Sequence, residues 1–369
     1  MFDRETLEKY KNDILPVNKG CREKIKERWD SIAKPLSGLG EFERIISLIG
    51  AIRGTDAPSI KNKVLLIFIS DNGIVSEGVS QCGSEVTFKV AKALSMGTST
   101  SSIMAKSSGV KVIPVDVGME GEKIPGLSDR RIRSGSRDFY ETPAMTEEET
   151  LAAIEAGFLE AEKAIEEGAD ILLLGEMGIG NTSTATALSS LLLSLDPLKI
   201  TGYGAGLSEE GRKRKSAVID SALKKHSVDP KDTLKVLSTF GGFDIAALTG
   251  AILCSAVKGI PAVTDGLITL ASALTAERLW PGVKDHLIPS IIPKEPLGKI
   301  LMESLSLRGV IDADMALGEG TGGILLMPML ETCLALYNGG STFSDEGIEK
   351  YKRFTPSPAA TRPSSPQAL

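Results

Sequence analysis

Two glycine-rich loops hold the residues best suited to chemistry. The first, Gly175-Glu-Met-Gly-Ile-Gly-Asn-Thr-Ser183, follows a short apolar run and leads into an alanine-rich stretch. A strand that turns directly into a helix leaves free N–H groups at the helix start, where the helix dipole also favours an anion. The same glycines equally fit a tight turn that serves only close packing. The spacing Gly178-x-Gly180-x-x-Ser183 lacks the third glycine of a dinucleotide fingerprint, and Gly206-x-x-x-x-Gly211-Arg212-Lys213 lacks the Lys-Ser/Thr ending of a P-loop. The second loop, Leu317-Gly-Glu-Gly-Thr-Gly-Gly323, sets one carboxylate, Glu319, among glycines ahead of an apolar helix. Such neighbours let the backbone approach a ligand and aim the side chain into a cleft. A solvated glutamate favoured by the helix dipole is the competing reading. Asp71, Asp116 and Asp265 each follow a strand-like run, where they can line a common mouth or cap turns. Lys215, in Arg212-Lys-Arg-Lys215, either reaches an anion or belongs to a solvated face.

The elements that must position these loops read as alternating strands and helices. Apolar runs at 64–69, 110–118 and 170–175 are buried strands ending in loops, and the pattern recurs at 235–242 and 261–266. Pro114 is awkward in a central strand because it has no N–H for the ladder. Thr146-Glu-Glu-Glu149 is a capping box that starts a helix running to about residue 168. Ile45, Ile46, Leu48, Ile49 and Ile52 form a helical apolar stripe that must pack on something else. The alternation predicts an α/β fold, a doubly wound and mostly parallel sheet with helices on both faces. Ligands in such sheets sit at the carboxyl ends of the strands, where the glycine loops gather.

Composition narrows the function classes. With 42 basic and 48 acidic residues the net charge is −6, which argues against a nucleic-acid binder, and 5% aromatic residues leave few platforms for bases. The only histidines, His226 and His286, and the dispersed Cys21, Cys82, Cys254 and Cys333 assemble neither a zinc site nor a serine-histidine triad. The polar start shows no signal peptide and no run approaches the ~20 apolar residues of a spanning helix. The expectation is a cytoplasmic protein with reduced thiols, no membrane partner, no metal and no cofactor. Residues 355–369, rich in Pro, Ser, Thr and Ala, are expected to be a disordered tail.

Taken in order, several blocks resemble one family over about residues 36–337. They are Asp71-Asn-Gly-Ile-Val-Ser-Glu-Gly-Val-Ser80, Val115-Asp-Val-Gly118, Pro143-Ala-Met-Thr146, Gly175-Glu-Met-Gly-Ile-Gly-Asn-Thr182, Gly204-Ala-Gly-Leu207, Gly241-Gly-Phe-Asp-Ile-Ala-Ala-Leu248, Asp265-Gly266 and Leu317-Gly-Glu-Gly-Thr-Gly322. The sequence is similar to the nicotinate-nucleotide:dimethylbenzimidazole phosphoribosyltransferases, which activate the lower ligand of cobamides. The resemblance implies a large Rossmann-like catalytic domain over 36–337 and a small helical domain from 1–35 and 338–354. It further implies transfer of phosphoribose from nicotinate mononucleotide to an aromatic acceptor, giving an α-ribotide and nicotinate. By motif, Glu319 is the expected general base. Glu176, Gly178, Gly180, Asn181, Thr182, Lys215, Gly266, Ser290, Leu317 and Gly318 are expected to hold the nucleotide and its phosphate, and Ser80, Gln81 and Ser84 to meet the acceptor. The family is dimeric.

The departures fall on the acceptor side. Asn72 stands where the family usually has histidine, Gly83 and Ser84 where it has proline and glutamine, and Ser290-Ile-Ile-Pro-Lys-Glu-Pro-Leu-Gly298 lacks two usual histidines. These changes suggest an unusual lower ligand, such as a phenol like p-cresol beside benzimidazoles. They also suggest pairing with a paralogue as an alternative to a homodimer. A noncatalytic subunit is the second reading, although it should have lost Glu319. A dinucleotide-dependent oxidoreductase lacks its glycine fingerprint here.

Overall fold

The computed structural model describes residues 2–353, so the segment 355–369 expected to be a tail lies outside the described residues. The strands are β1 (Lys63–Ser70), β2 (Val110–Gly118), β3 (Ser128–Asp129), β4 (Ile171–Met177), β5 (Ala262–Thr264) and β6 (Leu287–Pro289). All pairings are parallel, in the order β3-β2-β1-β4-β5-β6. Every residue of β1 is buried, and its period of two divides the core. Val64, Leu66 and Phe68 join the apolar cluster on one face, while Leu65, Ile67 and Ile69 join the cluster on the other. That double burial is why the run reads as continuously apolar rather than alternating. Pro114 is accommodated because β3 pairs only with Val115 and Asp116 and leaves the outer side of β2 open beside the proline.

Helices cover both faces. The first face carries Glu147–Glu166, Asn181–Leu193, Thr233–Phe240, Phe243–Lys258 and Leu267–Leu279. The second carries Lys19–Ser31, Glu41–Arg53 and Thr321–Gly339, with the Ile45–Ile52 stripe buried there. Two distant segments meet on this second face: Ile32 bridges Thr342, Trp29 packs on Tyr337 with ring centroids 5.0 Å apart, and Arg353 pairs with Asp30. Among the described residues no helix is long and apolar enough to cross a membrane.

The capping box forms as the sequence predicts, with Thr146 accepting from Glu149 N and Glu149 accepting from Thr146 N. The strand expected at 235–242 does not form. That run is the helix Thr233–Phe240, whose start is capped by Asp232 accepting from Lys235 N at 3.0 Å. A short apolar run has no periodicity that separates a buried strand from a buried helix, and the aspartate cap decides it.

The Glu147–Glu166 and Phe243–Lys258 helices approach backbone to backbone. A Cβ on Gly157 would stand 1.8 Å from the Ala247 carbonyl oxygen, and one on Gly250 would stand 1.9 Å from that of Ile154. Gly157→Ala is therefore expected to destabilise the protein by about 3 kcal/mol, the upper range for overpacking. Urea unfolding measures this, and an unchanged midpoint would contradict the packing described.

Candidate active site

The strand order reverses between β1 and β4, so the loops leaving these two strands diverge and open a crevice at the carboxyl edge of the sheet. A cleft of about 180 Å³ occupies this place. Its wall includes Ser80, Glu176, Gly178, Gly180, Asn181, Thr182, Gly266, Leu317, Gly318 and Glu319, so most of the residues singled out from sequence come together.

Glu319 owes its place to a costly backbone. It has φ +55°, between Gly318 at +85° and Gly320 at +75°, and a side chain in this region costs roughly 1–2 kcal/mol. Several contacts hold it there. The buried Ser101 donates its hydroxyl to Glu319 Oε2 at 2.6 Å. Asp265, at the end of β5, accepts from Gly320 N at 3.2 Å and from Gly322 N at 2.7 Å. Gly175 gives the loop room, since a Cβ there would lie 2.7 Å from the Glu319 carbonyl carbon.

Beneath this loop the wall is acidic. Burial, then the charge of Asp244, pushes Glu176 up to about 8, against the opposing effect of a hydrogen bond from Asn181 Nδ2. Burial likewise lifts Asp265 to about 7, partly offset by the Gly322 and Gly320 N–H groups. Asp244 is lifted by burial to about 6 and also accepts from Asn181 Nδ2, at 3.0 Å.

The other end of the cleft suits an anion. The Asn181–Leu193 helix starts at Gly180 and the Leu267–Leu279 helix at Gly266, and no side chain caps either. Lys215 is almost wholly buried, and burial lowers it to about 8. It donates to Thr182 Oγ1 at 2.7 Å beside Gly204, whose N–H is held by Glu295 Oε1 at 2.7 Å. Lys294 lies on the wall and has no ion pair among the described residues.

Other expected residues lie off the wall. Lys215 sits one contact behind it, through Thr182. Ser290 is fully buried and donates to the Thr264 carbonyl at 2.7 Å. Gln81 is exposed and, with Nε2 turned toward the loop, donates to the carbonyls of Ala205 (3.0 Å) and Gly206 (2.9 Å). Ser84 begins the Glu85–Ser95 helix without a side-chain cap bond. Asn72 is buried behind the glycine loop, accepting from Thr184 Oγ1 at 3.3 Å. Of the three strand-end aspartates, Asp116 holds a turn through Gly118 N and Met119 N, Asp71 holds Glu120 N, and Asp265 both lines the cleft and caps the Glu319 helix. Sequence reasoning missed Ser101, Asp244, Lys294 and Glu295. The serine run at 99–102 was a visible signal, but its long-range partner was not.

The parallel sheet with a cleft at its carboxyl edge, lined by carboxyls and by two uncapped helix starts, sets the class. A family model described as "Phosphoribosyltransferase" matches residues 14–348, and the chain belongs to that family. It is a pentosyltransferase by that membership. A relative from Ruminiclostridium cellulolyticum, named nicotinate-nucleotide--dimethylbenzimidazole phosphoribosyltransferase, is 37% identical, covering 94% of this chain and 99% of the relative. One of the same name from Alkaliphilus metalliredigens is 38% identical, covering 91% and 97%. The crystal structure of CobT from Thermus thermophilus superposes with a TM-score of 0.85 at 35% identity, covering 90% of this chain and all of that one.

The raised carboxyls make stability depend on pH. The unfolded chain releases these protons first, so what these carboxyls contribute to stability is greatest below about pH 4 and is lost as pH rises to about 8. Between pH 5 and 8, Glu176→Gln should lose at least about 1.4 kcal/mol less stability than the parent protein, the equivalent of one pKa unit. Urea unfolding at each pH tests this, and parallel pH dependences would contradict it.

Proposed function

We propose that the chain transfers the phosphoribosyl group of nicotinate mononucleotide to an aromatic lower-ligand acceptor, a benzimidazole or a phenol such as p-cresol. The products are nicotinate and an α-ribotide for cobamide assembly. The observation that carries this reading is that Glu319, held by Ser101, lines the same cleft as Thr182, which accepts from the buried Lys215.

Charge orients the substrate. A phosphate is repelled by Glu319 and is attracted to the uncapped helix starts and to Lys215 and Lys294. The sugar then spans the middle of the wall, with C1′ toward Glu319. The acceptor nitrogen or oxygen attacks C1′ from the face opposite nicotinate. As the new bond forms, the C1′–N bond breaks and its electron pair returns to the ring nitrogen, so nicotinate leaves without needing a general acid. Glu319 takes the N–H or O–H proton of the acceptor. Holding both reactants in line supplies much of the rate. The reading requires no cofactor, because nicotinate mononucleotide is a substrate.

The departures at Gly83, Ser84 and the 290–298 segment favour testing phenols beside benzimidazoles. For assembly we propose a homodimer, or a heterodimer with a paralogue. Supporting it, the Thr321–Gly339 helix exposes Leu325, Met329 and Leu336 on one stripe, an apolar face suited to a partner. Retention of Glu319 favours a catalytic chain over a noncatalytic subunit.

Purified protein should consume nicotinate mononucleotide with at least one acceptor of a panel of dimethylbenzimidazole, benzimidazole, phenol and p-cresol. Activity confined to dimethylbenzimidazole would reject the phenolic reading. Glu319→Gln should lower kcat by about 10²–10⁴-fold, the range for general-base removal, and unchanged turnover would remove the assigned role. Lys294→Ala should raise KM for nicotinate mononucleotide about tenfold with kcat little altered, the scale of one charge-assisted hydrogen bond. An unchanged KM would place the phosphate elsewhere.

A further inference from the structure

Asp244 does not line the cleft, yet it reaches the wall through one amide. It is fully buried in the first turn of the Phe243–Lys258 helix. Its Oδ2 accepts from Asn181 Nδ2 at 3.0 Å, and the same nitrogen donates to Glu176 Oε2. The carboxylate is wedged in place: a Cβ on Gly178 would lie 2.8 Å from Oδ2, and one on Gly242 would lie 2.6 Å from Oδ1.

An amide nitrogen carries two hydrogens, and here each is spent on a carboxylate. The orientation of the Asn181 amide is thereby fixed, and its Oδ1 accepts no hydrogen bond among the described residues. With Glu176 alone, turning the amide over would forfeit one hydrogen bond. With Asp244 as well it forfeits two and turns the oxygen toward the Asp244 carboxylate. Asn181 is on the cleft wall between the anion pocket at Thr182 and the carboxylate at Glu319. A group docked there meets an amide oxygen, which only accepts. That oxygen receives an O–H donor and offers nothing to a phosphate oxygen.

We propose that Asp244 is a positioning residue that fixes the Asn181 amide with its oxygen as acceptor for a ribose hydroxyl of the nucleotide substrate. This rests on the substrate reading above. It makes the cleft selective for a hydroxylated sugar through a residue that never touches it.

The test is calorimetric binding of nicotinate mononucleotide and its 2′-deoxy and 3′-deoxy analogues, which needs no turnover. The parent protein should bind the ribotide about tenfold more tightly than one of the analogues, the scale of one hydrogen bond. Asp244→Ala should narrow that preference to within about threefold, leave affinity for the same analogue unchanged, and add nothing in an Asn181→Ala background. Asp244→Leu, which fills much of the same space without an acceptor if the alanine variant fails to fold, should narrow it as well. The proposal is overturned by a parent protein with no preference. It is also overturned by variants that keep the preference, or by losses at Asp244 and Asn181 that simply add. Binding without transfer to any acceptor would overturn the reaction proposed above and leave the role of Asp244 standing. Transfer with the preference intact in the Asp244 variants would overturn that role alone.

Discussion

The contact on which the site depends is the pair of hydrogen bonds from Gly320 N and Gly322 N to the Asp265 carboxylate. It ties the end of β5 to the start of the Thr321–Gly339 helix, two segments far apart in the chain. It does for this helix what a capping side chain normally does from within the turn, since Gly320 has none to offer. Because the capped amides flank Glu319, the same bonds hold a left-handed glutamate in place. Removing the tie would free the loop to relax its backbone, and the carboxylate would lose its address.

Around this tie the site divides by charge. Glu176, Asp265 and Glu319 gather on the cleft wall, and burial raises the pKa of Glu176 and Asp265 well above ordinary carboxylates. Free helix starts and two lysines gather at the other end. Among the described residues, no three His, Cys, Asp or Glu side chains converge as metal ligands.

Much of this was legible from residue order. Doubly buried strands read as apolar runs, the Thr146 capping box fixed a helix start, and the glycine loops pointed to the carboxyl edge of the sheet. What stayed hidden was tertiary. The segment 235–242 was ambiguous until its aspartate cap made it a helix. Ser101, Asp244 and Glu295 act on the site through partners from 63 to 218 positions away, which no local pattern displays. The strand-end aspartates show the same limit. Asp71, Asp116 and Asp265 have equivalent positions in sequence, yet only the fold makes one a cleft residue and the others turn residues.

The closure of the second face by segments far apart in the chain has a bearing on biosynthesis. Ile45, Ile46 and Ile49 are synthesised early, but the helix beginning at Thr321 and the strand-like bridge at Thr342 arrive last. During translation the underside of the nascent sheet stays greasy and uncovered, and the loop bearing Glu319 has nothing to seat on. Contacts of such sequence separation slow folding and lengthen exposure to aggregation. The Gly175–Ser183 loop is thus made well before the Glu319 loop that packs against it through Gly175.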